Sequence, residues 1–96
     1  MTSEFYEEAI RLPAVQTIET VKLLHEEIRH HFTRLGPVNV DASQVESIDT
    51  ASLQLLAIAF LSAEQVTKAI ALHEPSPEFL TASRLLGLSR IFGLIQ

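Results

Sequence analysis

The run V-N-V-D-A-S-Q-V-E-S-I-D-T-A-S-L-Q-L-L, Val38 to Leu56, constrains the fold of this chain more than any other segment. It places an apolar strand, a short polar connection and the entrance of an apolar helix in consecutive positions. Val38, Val40 and Ala42 fall on one face of a strand predicted over Val38–Ala42. The connection Ser43 to Ile48 leads directly into a helix predicted over Thr50–Lys68. A strand that hands over to a helix is the unit from which parallel sheets are built, because parallel neighbours need a crossover between them.

The same alternation flanks the run on both sides. Glu8 to Val15 alternates Ala9 and Arg11 with Ile10 and Leu12, which predicts a strand, with Pro13 tolerated at its edge or end and Phe5 and Tyr6 extending or flanking it. Thr17 to Arg34 predicts a helix through the stripe Ile18, Val21, Leu24 or His25, Ile28, Phe32 and Leu35, with Thr17 as its cap. Gly36-Pro37 ends it. Ala69 to His73 is a short, nearly continuous apolar strand. Ser76-Pro77-Glu78 opens a third helix that runs to Leu86, with Gly87 closing it and Leu88 folding back. Ile91, Phe92 and Leu94 form a tail expected to pack down as a further helical turn. The expected architecture is a single small α/β domain over residues 1–96. Its mostly parallel β-sheet has about four strands, with helices packed on it and right-handed crossovers.

Composition narrows the function. Ninety-six residues hold one core, and 47% apolar residues fill it. Twelve acidic against seven basic residues give a net charge of −5, which argues against nucleic acid as a partner. There is no cysteine, so thiolate metal sites, disulfides and cysteine nucleophiles are excluded. The sequence from Met1 to Glu8 lacks the basic and apolar order of a secretory signal. The longest apolar run, Leu55 to Leu61, falls far short of the roughly 20 residues needed for direct membrane insertion. A cytoplasmic protein is expected.

Motifs for phosphate-cradling loops and nucleophile elbows are missing. His25, His30 and His31 share one helix at offsets of five and six, which does not align them as ligands, and His73 ends a strand elsewhere; no metal or cofactor is expected. Asp41 and Asp49 are the only aspartates in the chain, and nothing at recognisable spacing supplies a base, metal or oxyanion site beside them. An enzyme is not expected.

Chemistry concentrates at the entrance of the second helix. Its first N–H groups have no partner within the helix, and Asp49 or Thr50 can accept from one of them. Leu53, Leu55, Leu56, Ala57, Ile58, Ala59, Phe60 and Leu61 leave the helix apolar almost all round, with Gln54 the one polar interruption. One face must meet the sheet, and the surplus must meet another helix or another protein. Where another protein takes that surplus, the expected partner-binding residues are Asp49, Thr50, Ser52, Leu53, Gln54, Ala57 and Phe60.

These residues resemble the STAS domains, named for sulfate transporters and anti-sigma factor antagonists. The family signature is a strand ending in D-x-S, a short connection, then D-[ST]-[SAT]-G-L opening a helix. It is matched here by V-N-V-D-A-S, V-E-S-I and D-T-A-S-L-Q-L-L, which makes Asp41, Ser43 and Asp49 motif positions. L-P-A-V-Q-T-I-E-T-V and R-L-L-G-L-S-R-I-F-G-L resemble the family's first-strand-to-helix segment and its close. The resemblance implies a non-enzymatic regulatory module of the anti-sigma factor antagonist type. In it Thr50 is the phosphoacceptor, modified by a serine/threonine kinase and restored by a phosphatase. The unmodified form binds the kinase or an anti-sigma factor. Ser52 stands where the family has glycine, and is a second candidate acceptor. The run T-A-S-L-Q-L-L is equally similar to the STAS subunits of bacterial ABC-type phospholipid transporters. There the threonine contacts the ATPase subunit and needs no phosphate.

Overall fold

The computed structural model describes residues 9–94. Phe5 and Tyr6, expected to extend or flank the first strand, lie outside the described residues. In chain order the elements are β1 (Ile10–Arg11), β2 (Val15–Gln16), α1 (Val21–Thr33), β3 (Val38–Asp41), β4 (Ser47–Ile48), α2 (Thr50–Gln65), β5 (Ile70–His73) and α3 (Pro77–Leu85). All strand pairs are parallel, as expected, but they form two sheets instead of one: β1-β3-β5 and β2-β4.

Pro13 explains the split. The expected strand Glu8–Val15 is interrupted there, because proline has no N–H to give to a ladder. Up to Leu12 the chain pairs with β3, and the Leu12 N–H still donates to Asp41 O at 3.0 Å. Beyond Pro13 it changes partner: Ala14 O accepts from the Glu46 and Ser47 N–H groups at 2.7 and 3.0 Å. The polar connection after β3 thereby becomes a short strand of its own, paired Val15 with Ser47 and Gln16 with Ile48.

In the larger sheet, Ile10, Val38 and Val40 are buried on the core side, with Ile70 and Leu72 half-buried beside them. The intervening positions Arg11, Asp41 and His73 stand in register across the three strands. Asn39 precedes them on β3 and is buried, its Oδ1 2.8 Å from His73 Nε2.

Helix α1 begins four residues later than expected. Thr17 does not cap it. Residues 17–20 form a turn in which Thr20 N–H donates to Thr17 O at 2.9 Å and Thr17 N–H donates to Thr20 Oγ1 at 3.1 Å. Thr20 occupies the capping position and its carbonyl accepts from Leu24 N–H at 3.2 Å, but its side chain accepts nothing from the helix. Leu24 and Ile28 are buried and Phe32 is half-buried, whereas Ile18 and Leu35, outside the helix at either end, are exposed.

The chain's end anchors the core beneath α2. Ser76 Oγ accepts from Phe79 N–H at 3.1 Å, and Pro77 takes the first helical position. Past α3, Gly87 (φ +73°) allows Gly87 N–H to bond Arg84 O and Leu88 N–H to bond Ser83 O, a Schellman closure. The same pattern recurs one turn later at Gly93 (φ +76°), with Leu94 N–H on Ser89 O at 2.8 Å. That turn seats Phe92 in the core, its ring 5.1 Å from Phe60 and 5.4 Å from Phe79.

Candidate functional site

β4 delivers the chain to the entrance of α2. The Asp49 N–H donates to Gln16 O at 3.1 Å, which continues the β2–β4 pairing to the capping residue itself. Asp49 has extended backbone (φ −90°, ψ 171°), the conformation of an N-cap. Its Oδ1 accepts from Ser52 N–H at 2.9 Å. Its Oδ2 accepts from Ile18 N–H at 2.7 Å, in the turn that precedes α1. One carboxylate therefore caps α2 and ties down the approach to α1. Chiefly the Ser52 N–H, with smaller help from the Ser52 hydroxyl and the Ile18 N–H, holds the Asp49 carboxyl below the ordinary aspartate range. It is ionised at neutral pH.

Ser52 is fully buried. Its hydroxyl lies 3.4 Å from Gln16 Nε2, and the same amide donates to Thr20 Oγ1 at 2.8 Å. Gln16 is only 1% exposed, so this side chain joins the first turn of α2, strand β2 and the turn before α1 in one interior polar chain. Sequence reasoning missed Gln16. The residue stands beside Val15 and Thr17 with no spacing to mark it, and only the partner switch at Pro13 turns it inward.

Thr50, the first residue of α2, is exposed, and its hydroxyl makes no hydrogen bond among the described residues. The remaining expected contact residues divide by helical phase. Leu53, Ala57 and Phe60 are buried in the core, together with Leu56 and Ala63. Gln54, Ile58 and Leu61 face outward. Leu53, Ala57 and Phe60, expected from the sequence as contact residues, are core residues here. A helix apolar on all sides carries no pattern that tells inside from outside, and here that face is buried in the hydrophobic core.

Asp41 and Ser43 stand apart from this cluster. Asp41 Oδ1 accepts from Ser43 N–H at 2.9 Å, shaping the turn after β3, and its Oδ2 lies 3.8 Å from Arg11 Nε. No hydrogen bond among the described residues joins either of them to Asp49, Thr50 or Ser52. No group of three His, Cys, Asp or Glu residues among the described ones could hold a metal. No helix among them is long and apolar enough to cross a membrane.

A strand closed by an Asp–Ser turn, a capped helix entrance with an exposed threonine, and a glycine-closed C-terminal turn agree with a whole-chain match. The family model described as Mlab, STAS domain, matches residues 2–96. The chain belongs to the STAS family. No curated protein and no solved structure matches it. STAS domains in general mediate protein–protein interaction, and the family match makes this chain a STAS-type interaction module. Ser52 stands where the signature that the sequence resembles has glycine. Its hydroxyl is accommodated by Gln16, so the added side chain is absorbed into the interior polar chain.

Proposed function

We propose that this STAS domain binds a protein partner through the entrance and outer face of α2, and that phosphorylation of Thr50 switches the binding off. One observation carries the reading. Asp49 supplies both oxygens to structural N–H groups, which leaves the Thr50 hydroxyl exposed and without a structural task. The contact surface comprises Asp49, Thr50, Gln54, Ile58 and Leu61. Ser52 is a poor acceptor for a kinase, because its hydroxyl is enclosed.

The switch follows from charge. A phosphate on Thr50 adds about −1.5 to −2 charges. A helix N-terminus normally welcomes an anion. Here the Ser52 N–H is already held by Asp49, and the ionised carboxylate lies one residue away. The phosphate must stay hydrated, and a partner closing over it must strip that water from two neighbouring anions. The unmodified form, bearing a small neutral hydroxyl, carries no such penalty.

A second reading uses the same surface without modification: a subunit of a bacterial ABC-type phospholipid transporter that binds the ATPase subunit through Thr50. It is favoured by α2 itself, which has no charged residue from Thr50 to Ala63 and presents a neutral outer face. Isolation of the tagged protein from its own cells, with mass spectrometry of its partners and of the Thr50 peptide, separates the two. The first reading expects a phosphorylated Thr50 fraction that carries no partner. An unmodified Thr50 under every growth condition, with an ATPase subunit co-purifying, overturns it in favour of the second.

A further inference from the structure

Helices α1 and α2 leave an open groove of about 350 Å³ between them, and its chemistry is one-sided. Ile28, Phe32 and Leu55 line it with apolar surface, and Ile58, 59% exposed, forms part of one wall. Among the described residues its charged and titratable groups are Arg29 and His25, both on α1, and no described carboxylate lines it in a chain of net charge −5. Arg29 is exposed and makes no ion pair or hydrogen bond among the described residues. A cation held beside an apolar trough in an acidic protein is complementary to a partner that brings both a hydrocarbon stripe and a carboxylate.

Length specifies the partner further. The lining runs from His25 to Thr33 on α1 and from Leu55 to Ser62 on α2. At the rise of an α-helix this is a trough of about 10–12 Å, two helical turns. It matches apolar anchors at i, i+3 or i+4, and i+7 of one amphipathic helix laid in a groove.

We propose that this groove docks an amphipathic helical segment of a protein partner, its apolar side chains on Ile28, Phe32, Leu55 and Ile58 and a carboxylate against Arg29 and His25. The site rests on the reading of the chain as an interaction module. It does not rest on Thr50, since only Ile58 belongs both to the groove and to the outer face of α2 around that residue. The partner is thus held at two places, of which one is switched.

The test uses the whole protein and a designed probe. A fluorescently labelled, end-capped peptide of about 15 residues, long enough to hold a helix, carries leucines at i, i+3, i+4 and i+7 flanked by glutamates. A second peptide has every glutamate replaced by lysine. The glutamate peptide should bind roughly tenfold more tightly than the lysine peptide, and Arg29→Glu should reverse that order. Ile58→Asp, at an exposed position, should abolish binding while leaving the melting temperature in place. Equal binding of the two peptides, absence of saturable binding by either, or indifference to Arg29→Glu would overturn the proposal. So would a concentration-dependent dimer in sedimentation that Arg29→Glu dissolves, which would assign the groove to a second copy of this chain. Thr50→Glu should leave peptide binding unchanged. If the peptides fail while Thr50→Glu still releases the cellular partner, the groove is wrong and the Thr50 site stands. If the peptides bind while Thr50→Glu releases nothing, the reverse holds.

Discussion

The entrances of α2 and α3 look alike in sequence and differ in what their caps do. Each follows a strand, β4 directly and β5 after two residues, and each places an oxygen-bearing side chain at the N-cap. At α3, the nearly buried Ser76 hydroxyl accepts one N–H, from Phe79, and Pro77 fixes the first turn over a fully buried phenyl ring. A single acceptor is enough, and nothing reactive is left at the surface. At α2, the half-exposed Asp49 spreads two oxygens over two segments, the α2 first turn and the turn before α1. Helix α1, which has no side-chain cap of its own, borrows this carboxylate at its approach. The α3 entrance is closed architecture. The α2 entrance is a joint with an unused hydroxyl on its outside.

The comparison can be broken at α3 first, where the largest effect is expected. Phe79→Ala removes a ring in contact with Phe92 at the centre of the core, and should cost about 3–5 kcal/mol in denaturant unfolding. A loss below ~1 kcal/mol would show that this entrance is not core-anchored. Next comes Asp49→Ala, which should lower the melting temperature more than Ser76→Ala does, since it releases two segments and not one. Ser76→Ala sets the scale at about 1 kcal/mol, roughly 4–8 °C in a domain of this size. Equal shifts in the two variants would mean that the bond to Ile18 contributes nothing.

Acidity sharpens the same point. The folded-state pKa of Asp49 is depressed, so the stability its carboxylate contributes is fully present above its unfolded value of about 3.9 and is lost as pH falls through the folded value. An Asp49→Asn amide can accept from only one of the two N–H groups. The gap in melting temperature between wild type and Asp49→Asn should therefore be constant above about pH 5 and close on further acidification. A gap that widens in acid would contradict the assignment. The amide of Ile18 should also exchange with solvent faster in Asp49→Asn, while the amide of Phe79 stays unchanged; equal exchange of Ile18 in both proteins would remove the second arm of the joint. The smallest effect belongs to Thr50→Ala, within about 0.5 kcal/mol of wild type, because this hydroxyl holds nothing together.

Much of this was legible in the chain itself, for identifiable reasons. The strand at Val38, the α3 entrance at Ser76-Pro77 and the closure at Gly87 rest on local chemistry that tertiary contacts do not override. The first-strand region was legible only in part. Pro13 was visible as a defect, but not its consequence, that the chain leaves β3 and pairs with Ser47–Ile48 in a second sheet. That swap decides where Gln16 points, so the residue that accommodates Ser52 could not be found from spacing. The start of α1 was misplaced because Ile18 continues the apolar stripe in sequence, while Asp49, 31 residues away, holds its N–H in a turn. On α2 uniform hydrophobicity has no phase, so the burial of Leu53, Ala57 and Phe60 in the core, Phe60 against Phe92, is not legible in the sequence.

The central claim is that the α2 entrance separates structure from function, Asp49 serving the first and Thr50 the second. Thr50→Glu tests it most directly, measured at once by thermal unfolding and by the amount of partner recovered with the protein from its own cells. The account predicts a melting temperature close to that of wild type and recovery reduced by about tenfold or more. Undiminished recovery, or a loss of stability as large as that of Asp49→Ala, would contradict it.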